Sequence, residues 1–237
     1  AYVARVAAKF NDNGKGVRGD LTAVWTAILL DEEARGAGTL TNPNHGKLRE
    51  PMLRFIQWAR TFSVTSAAGS WKIFDLGNAG TQLGQSPLRA PSVFNFFRPG
   101  YVPPGTALSP SGATAPEFQL VNETSVGGYL NFIQGVIERG INCPNPGVPY
   151  AAYNNYVSDV KANYGNELAL VMNASALVNH LDLVLTAGQL SAGTKATMVT
   201  ALEGTPLTAS SSADARNRRV WAAIFMVMAS PEYLIQK

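Results

Sequence analysis

His45 and His180 are the only two imidazoles in the chain, so a general base or zinc-bound water that depends on histidine must use one of them. His180 falls three residues after Leu177 and four before Val184. That spacing puts it on the margin of an apolar helical face and predicts a structural, hydrogen-bonded histidine. His45 lies in a loop and is the more available of the two. The sequence contains no HExxH, GxSxG, CxxCH or GxxxxGK followed by Ser or Thr. The metalloprotease, hydrolase-elbow, haem-attachment and phosphate-loop chemistries therefore lack their residues.

The strongest remaining cluster is Arg49, Glu50 and Arg54 after Gly46. Backbone amides at a helix start and two guanidinium groups, with His45 nearby, form a candidate site for an anion such as a carboxylate or sulfate. The competing expectation is structural: Glu50 and Arg54, four apart on one helix, pair with each other and tie down a neighbouring segment. Phe94, Phe96, Phe97 and Tyr101 would make a sugar or peptide platform if exposed. In a Pro-rich segment their expected role is to plug that segment into the core, with Gln85 and Asn95 orienting it through backbone hydrogen bonds. Asn11, Asn13, Gly14 and Asp20 have part of a calcium-loop pattern, but Lys9 stands where the first carboxylate is needed. Arg18-Gly19-Asp20 reads as a loop closer followed by a helix cap. Cys143 is the single cysteine, which excludes an internal disulfide and a thiolate-rich zinc site. No metal and no cofactor is expected.

These residues are carried by a chain of 237 residues, 46% hydrophobic and 15% charged, with a net charge of +3. Such a composition excludes disorder, and the charge excess is too small and scattered for a nucleic-acid footprint. The longest apolar run, Val220 to Ala229, is about half a bilayer span and predicts a buried helix, with no transmembrane segment. The opening AYVARVAAKF has amphipathic helical spacing and no export-signal pattern. A helix that begins with no capping residue suggests a chain that continues N-terminally.

Helical spacing predicts a hairpin from Tyr2 to Phe10 and Leu21 to Leu30, the second helix capped by Asp20, then a helix over Lys47 to Phe62 with Pro51 near its first turn. Between Ser63 and Pro116 lie half of the 14 prolines, and an ordered strap rich in aromatics is expected there. Helices resume over Glu117 to Arg139, Tyr153 to Tyr164, Asn173 to Ala187, Ser191 to Leu202 and Ser212 to Met228, with a terminal turn at Ser230-Pro231-Glu232. No run reads convincingly as a strand. The expected architecture is all-α: one helical domain over 1–237, an irregular bundle (helices over 1–62 and 117–237) wrapped by the strap over 63–116.

Five pieces stand in a fixed order: GKLREP (Gly46 to Pro51), GQSP (Gly84 to Pro87), PSVFNFF with Pro-Gly-Tyr (Pro91 to Tyr101), APEF (Ala115 to Phe118) and SPEY (Ser230 to Tyr233). In this order and spacing they resemble the C-terminal part of the bacterial domain-of-unknown-function 1800 family. The resemblance covers essentially the whole chain. It implies a helical, exported bacterial protein located in the periplasm or outside the cell, with an N-terminal half not represented here and no established reaction. The leading expectation is a non-enzymatic structural or interaction module that binds another exported or envelope protein. The rival is the C-terminal part of an envelope hydrolase whose catalytic groups lie mostly in that N-terminal half.

Overall fold

A computed structural model describes residues 1–42, 45–69, 71, 73, 75–144 and 156–237. Among them are ten α-helices and two small antiparallel sheets, so the chain is mostly helical. It divides into two compact units, one of residues 1–47 with Lys237, the other of residues 48–236.

In the first unit, α1 (Tyr2–Asn11) and α2 (Leu21–Leu30) form the expected hairpin, followed by the single-turn α3 (Glu32–Arg35). Asp20 caps α2 by accepting from the amides of Thr22 and Ala23, as the Arg-Gly-Asp stretch predicts. The loop between the helices closes on itself. Asp12 accepts from the Gly14 and Gly16 amides, and Asn13 donates to Asp20 at 2.7 Å. The Tyr2 hydroxyl donates to the Ile28 carbonyl, and Arg5 holds Asp31 in two parallel hydrogen bonds of 2.7 and 2.6 Å. That guanidinium pulls the Asp31 carboxyl down to about 2. None of the ten residues of either helix is buried.

The second unit holds the core. It contains α4 (Pro51–Thr61), α5 (Glu123–Arg139), α6 (Gly165–Leu170), α7 (Ala174–Thr186), α8 (Ala192–Glu203), α9 (Ala213–Ala229) and α10 (Pro231–Leu234). The apolar run predicted as a buried helix supplies Val220, Ala223, Ile224, Val227 and Met228, all at 1% exposure or less. They meet Trp58 and Phe62 of the α4 segment, Ile133 and Ile137 of α5, and Leu177, Leu181 and Leu185 of α7 in one apolar cluster. Asn122, Asn173, Ser191 and Ser212 each cap a helix through the side chain.

The fold is mostly helical as expected, but the reading that no run forms a strand needs correction. Strands β1 (Lys47–Leu48), β2 (Thr65–Ser66), β3 (Ile141–Pro144), β4 (Tyr156–Lys161) and β5 (Ile235–Gln236) are present, and β2-β4-β3 form an antiparallel three-stranded sheet. The helix expected from Tyr153 to Tyr164 is therefore strand from Tyr156 onward, while residues 153–155 lie outside the described residues. The register slips between Ile141 and Asn142, leaving Asp159 as the extra residue on β4. Its buried carboxylate accepts from the Ser66 hydroxyl at 2.5 Å and the Ala68 amide at 2.6 Å. Cys143 is a residue of β3.

The strap begins to dock at α5. A Cβ on Gly128 would stand 2.1 Å from the Ala79 carbonyl oxygen, so only glycine permits this approach. Leu76 and Leu83 enter the core there. Further along, expectation and structure part. Phe94 is 63% and Trp71 53% exposed, and Phe96, Phe97 and Tyr101 are only half-buried, so these aromatics do not plug a core. A tight turn bridges Ser92 and Asn95 and leaves Val93 and Phe94 at its tip. Phe74 lies outside the described residues.

Candidate functional site: an arginine-tyrosine node at the start of α4

Pro51 opens α4 at a position where its missing N–H costs nothing, and Glu50 precedes it as the cap residue without capping through its side chain. The cap comes instead from the strap. The Gln85 side-chain carbonyl accepts from the Met52 amide at 3.1 Å, while its amide donates to Glu50 Oε2 at 2.5 Å. Gln85 is 3% exposed. The GQSP and GKLREP pieces thus meet, as the expected strap-orienting role of Gln85 requires. Gly84 adopts φ +66° in the turn that delivers Gln85.

Arg54 is 5% exposed. Its Nε donates to the Arg49 carbonyl at 2.7 Å, and its guanidinium carbon lies 4.7 Å from the centre of the Tyr129 ring. Burial pulls the Arg54 pKa down, opposed by Tyr129, and burial raises Tyr129 to about 12. The expected ion pair between Glu50 and Arg54 is not formed: the carboxylate turns to Gln85 and the guanidinium to a carbonyl and an aromatic face. Arg49 stands over the Tyr233 ring at 4.7 Å and donates to the Gln57 side-chain carbonyl. Among the described residues its buried Nε has no partner. Gln57 in turn donates to the Leu185 carbonyl at 2.9 Å.

The terminal SPEY piece closes the node. Ser230 caps the one-turn α10, and Pro231 stands at its first position. Tyr233, fully buried, donates its hydroxyl to the Arg54 carbonyl at 3.2 Å, and burial pushes its pKa up. Glu232 reaches the start of α8, accepting from the Thr194 hydroxyl at 2.6 Å and the Ser191 amide at 3.2 Å. The Arg49 amide donates to the Leu234 carbonyl at 2.8 Å. Four segments distant in sequence therefore meet here: the α4 start, Gln85, Tyr129 and Tyr233. Sequence reasoning found Arg49, Glu50, Arg54 and Gln85. It missed Gln57 and Tyr129, which carry no local signal, and gave Tyr233 no role.

His45, the fourth residue of the expected anion site, belongs to the first unit, where its amide donates to the Asn42 carbonyl at 3.2 Å. His180 behaves as its helical spacing predicts: Nε2 stands 2.8 Å from an oxygen of buried Glu167. Among the described residues no three His, Cys, Asp or Glu side chains form a metal-holding group. No helix among them is long and apolar enough to cross a membrane.

In a mostly helical fold, three of the five motif pieces, GKLREP, GQSP and SPEY, meet at one node. The chain matches over residues 1–235 the family described as a protein of unknown function, DUF1800, and belongs to it. No curated protein and no solved structure matches the chain.

Proposed function

We propose that the chain is a non-enzymatic structural and interaction module of an exported bacterial protein, with α2 as the face that meets another envelope or extracellular protein. The observation that carries this reading is an apolar stripe. Leu21, Trp25 and Leu29, four apart on α2, are 62%, 60% and 59% exposed. Burying a side chain of this kind is worth about 1.5–3 kcal/mol, so a helix with no charged residue that leaves three of them in water is unusual unless something covers them. The node supports the same reading. Apart from the Arg49 Nε and the Glu232 Oε2, the polar side-chain atoms named there are engaged within the protein, which suits a clasp holding strap, α4, α5 and α10 together. Export and an envelope location rest on the family resemblance alone.

The test is co-purification from the native envelope fraction with the wild-type chain and a Leu21→Ser/Trp25→Ser/Leu29→Ser variant. The reading expects one stoichiometric partner with the wild type, lost in the variant at unchanged circular dichroism. Equal recovery with both, or hydrolysis of an envelope polymer that depends on Arg49, would overturn it.

A further inference from the structure

We propose that the cleft between α5 and α9, remote in sequence from the stripe on α2, binds an acidic oligosaccharide. The cleft has a volume of about 750 Å³ and continues past Trp221 into a smaller recess of about 180 Å³. Ile137, Glu138 and Trp221 line both parts. Its size falls in the range of about 300–1,000 Å³ usual for ligand sites.

The lining has the chemistry of a sugar site. Asn217, Trp221 and Phe225 stand four apart on α9 and so share one face. Trp221 and Asn217 are half-buried, and neither the indole N–H nor the Asn217 amide makes a hydrogen bond among the described residues. An indole face accepts the C–H face of a pyranose, and an amide both donates to and accepts from ring hydroxyls. Across from them on α5, Gln134 donates to Glu138 at 3.1 Å.

The charge of the lining selects an anion. Arg139, Lys161 and Arg218 line the two parts, against Glu138 as their carboxylate. Glu138 pairs with Arg139 at 3.0 Å and Arg218 with Asp214 at 2.7 Å, while exposed Lys161 makes no ion pair among the described residues. A sugar carboxylate would pair with Lys161 while its ring lies on Trp221. A flat ring flanked by side-chain amides suits stacked sugars better than a peptide, which grooves hold by strand pairing or by a series of apolar anchors.

The experiment is isothermal titration calorimetry of the whole chain with tri-galacturonate, with neutral maltotriose and an acidic hexapeptide as comparisons. The proposal expects tri-galacturonate to bind about tenfold or more tightly than either comparison, and its affinity to fall about tenfold in Trp221→Ala and in Lys161→Gln. Added salt should weaken it further. Lys161 is exposed, so Lys161→Gln keeps the test decisive if Trp221→Ala does not fold. Absence of heat with tri-galacturonate, equal binding of maltotriose, preference for the peptide, or unchanged affinity in Lys161→Gln would each overturn the proposal.

Discussion

Replacing Gln85 tests the clasp at its narrowest point. The residue is 3% exposed and makes two bonds at once, to Glu50 Oε2 at 2.5 Å and from the Met52 amide at 3.1 Å. A hydrogen bond to a charged acceptor is worth about 1.5–3 kcal/mol and a helix cap about 1 kcal/mol, so Gln85→Ala should cost about 2–4 kcal/mol. For a unit of this size that lowers the melting temperature by roughly 5–15 °C. Gln85→Glu isolates the sign of the interaction. It keeps the acceptor for Met52 but sets a second carboxylate against Glu50, where two charges about 4 Å apart repel by about 4 kcal/mol at an effective dielectric constant of 20. The closely apposed carboxylates then share a proton that the unfolded chain releases at ordinary carboxylate pKa. Folded pKa above unfolded pKa means stability present at low pH and lost as pH rises. Urea denaturation followed by circular dichroism from pH 4 to pH 8 should show the Gln85→Glu deficit growing with pH relative to wild type. A deficit constant across that range would refute the assignment of the Gln85 amide to Glu50.

Gly128→Ala should destabilise the fold although alanine favours helix by about 1 kcal/mol, because its Cβ would stand 2.1 Å from the Ala79 carbonyl oxygen; thermal melting checks the direction. Tyr233→Phe removes the 3.2 Å bond to the Arg54 carbonyl and should cost about 1 kcal/mol in the same melt, with Tyr129→Phe, which loses its 3.1 Å bond to the Met228 carbonyl, costing a similar amount. Asp31 is held down at about 2 by the Arg5 guanidinium, so its contribution is present above the ordinary carboxylate pKa and lost as pH falls toward 2. Acid titration of amide exchange in α1 should show that loss in the wild type and a flatter profile in Arg5→Ala.

The helices were legible where apolar spacing and a cap agreed. Asp20, Asn173, Ser191 and Ser212 each stand at the position from which the side chain reaches the first free amides. Strand β4 was not, because Val157, Val160 and Tyr164 also fall at helical spacing. The β-branched pair Val157 and Val160 favours strand, and Asp159, bulged out of register, breaks the alternation that would have revealed it. The exposure of the strap aromatics is not legible in the sequence, because proximity along the chain says nothing of turn direction. The Ser92–Asn95 turn points Phe94 at solvent, whereas Leu76 and Leu83, which carry no distinguishing signal, reach the core. At the node, the charged residues of the α4 start stood together in sequence and were found. The aromatic rings beneath them come from positions 129 and 233, and only the tertiary fold brings them there.

Photo-crosslinking in the native cell from a benzophenone amino acid at position 25, with exposed position 32 as control, tests the interaction reading most directly. The account predicts one discrete protein adduct at position 25 that disappears when Leu21 and Leu29 are changed to serine. Adducts no stronger at position 25 than at position 32, or undiminished by the serine changes, would contradict it.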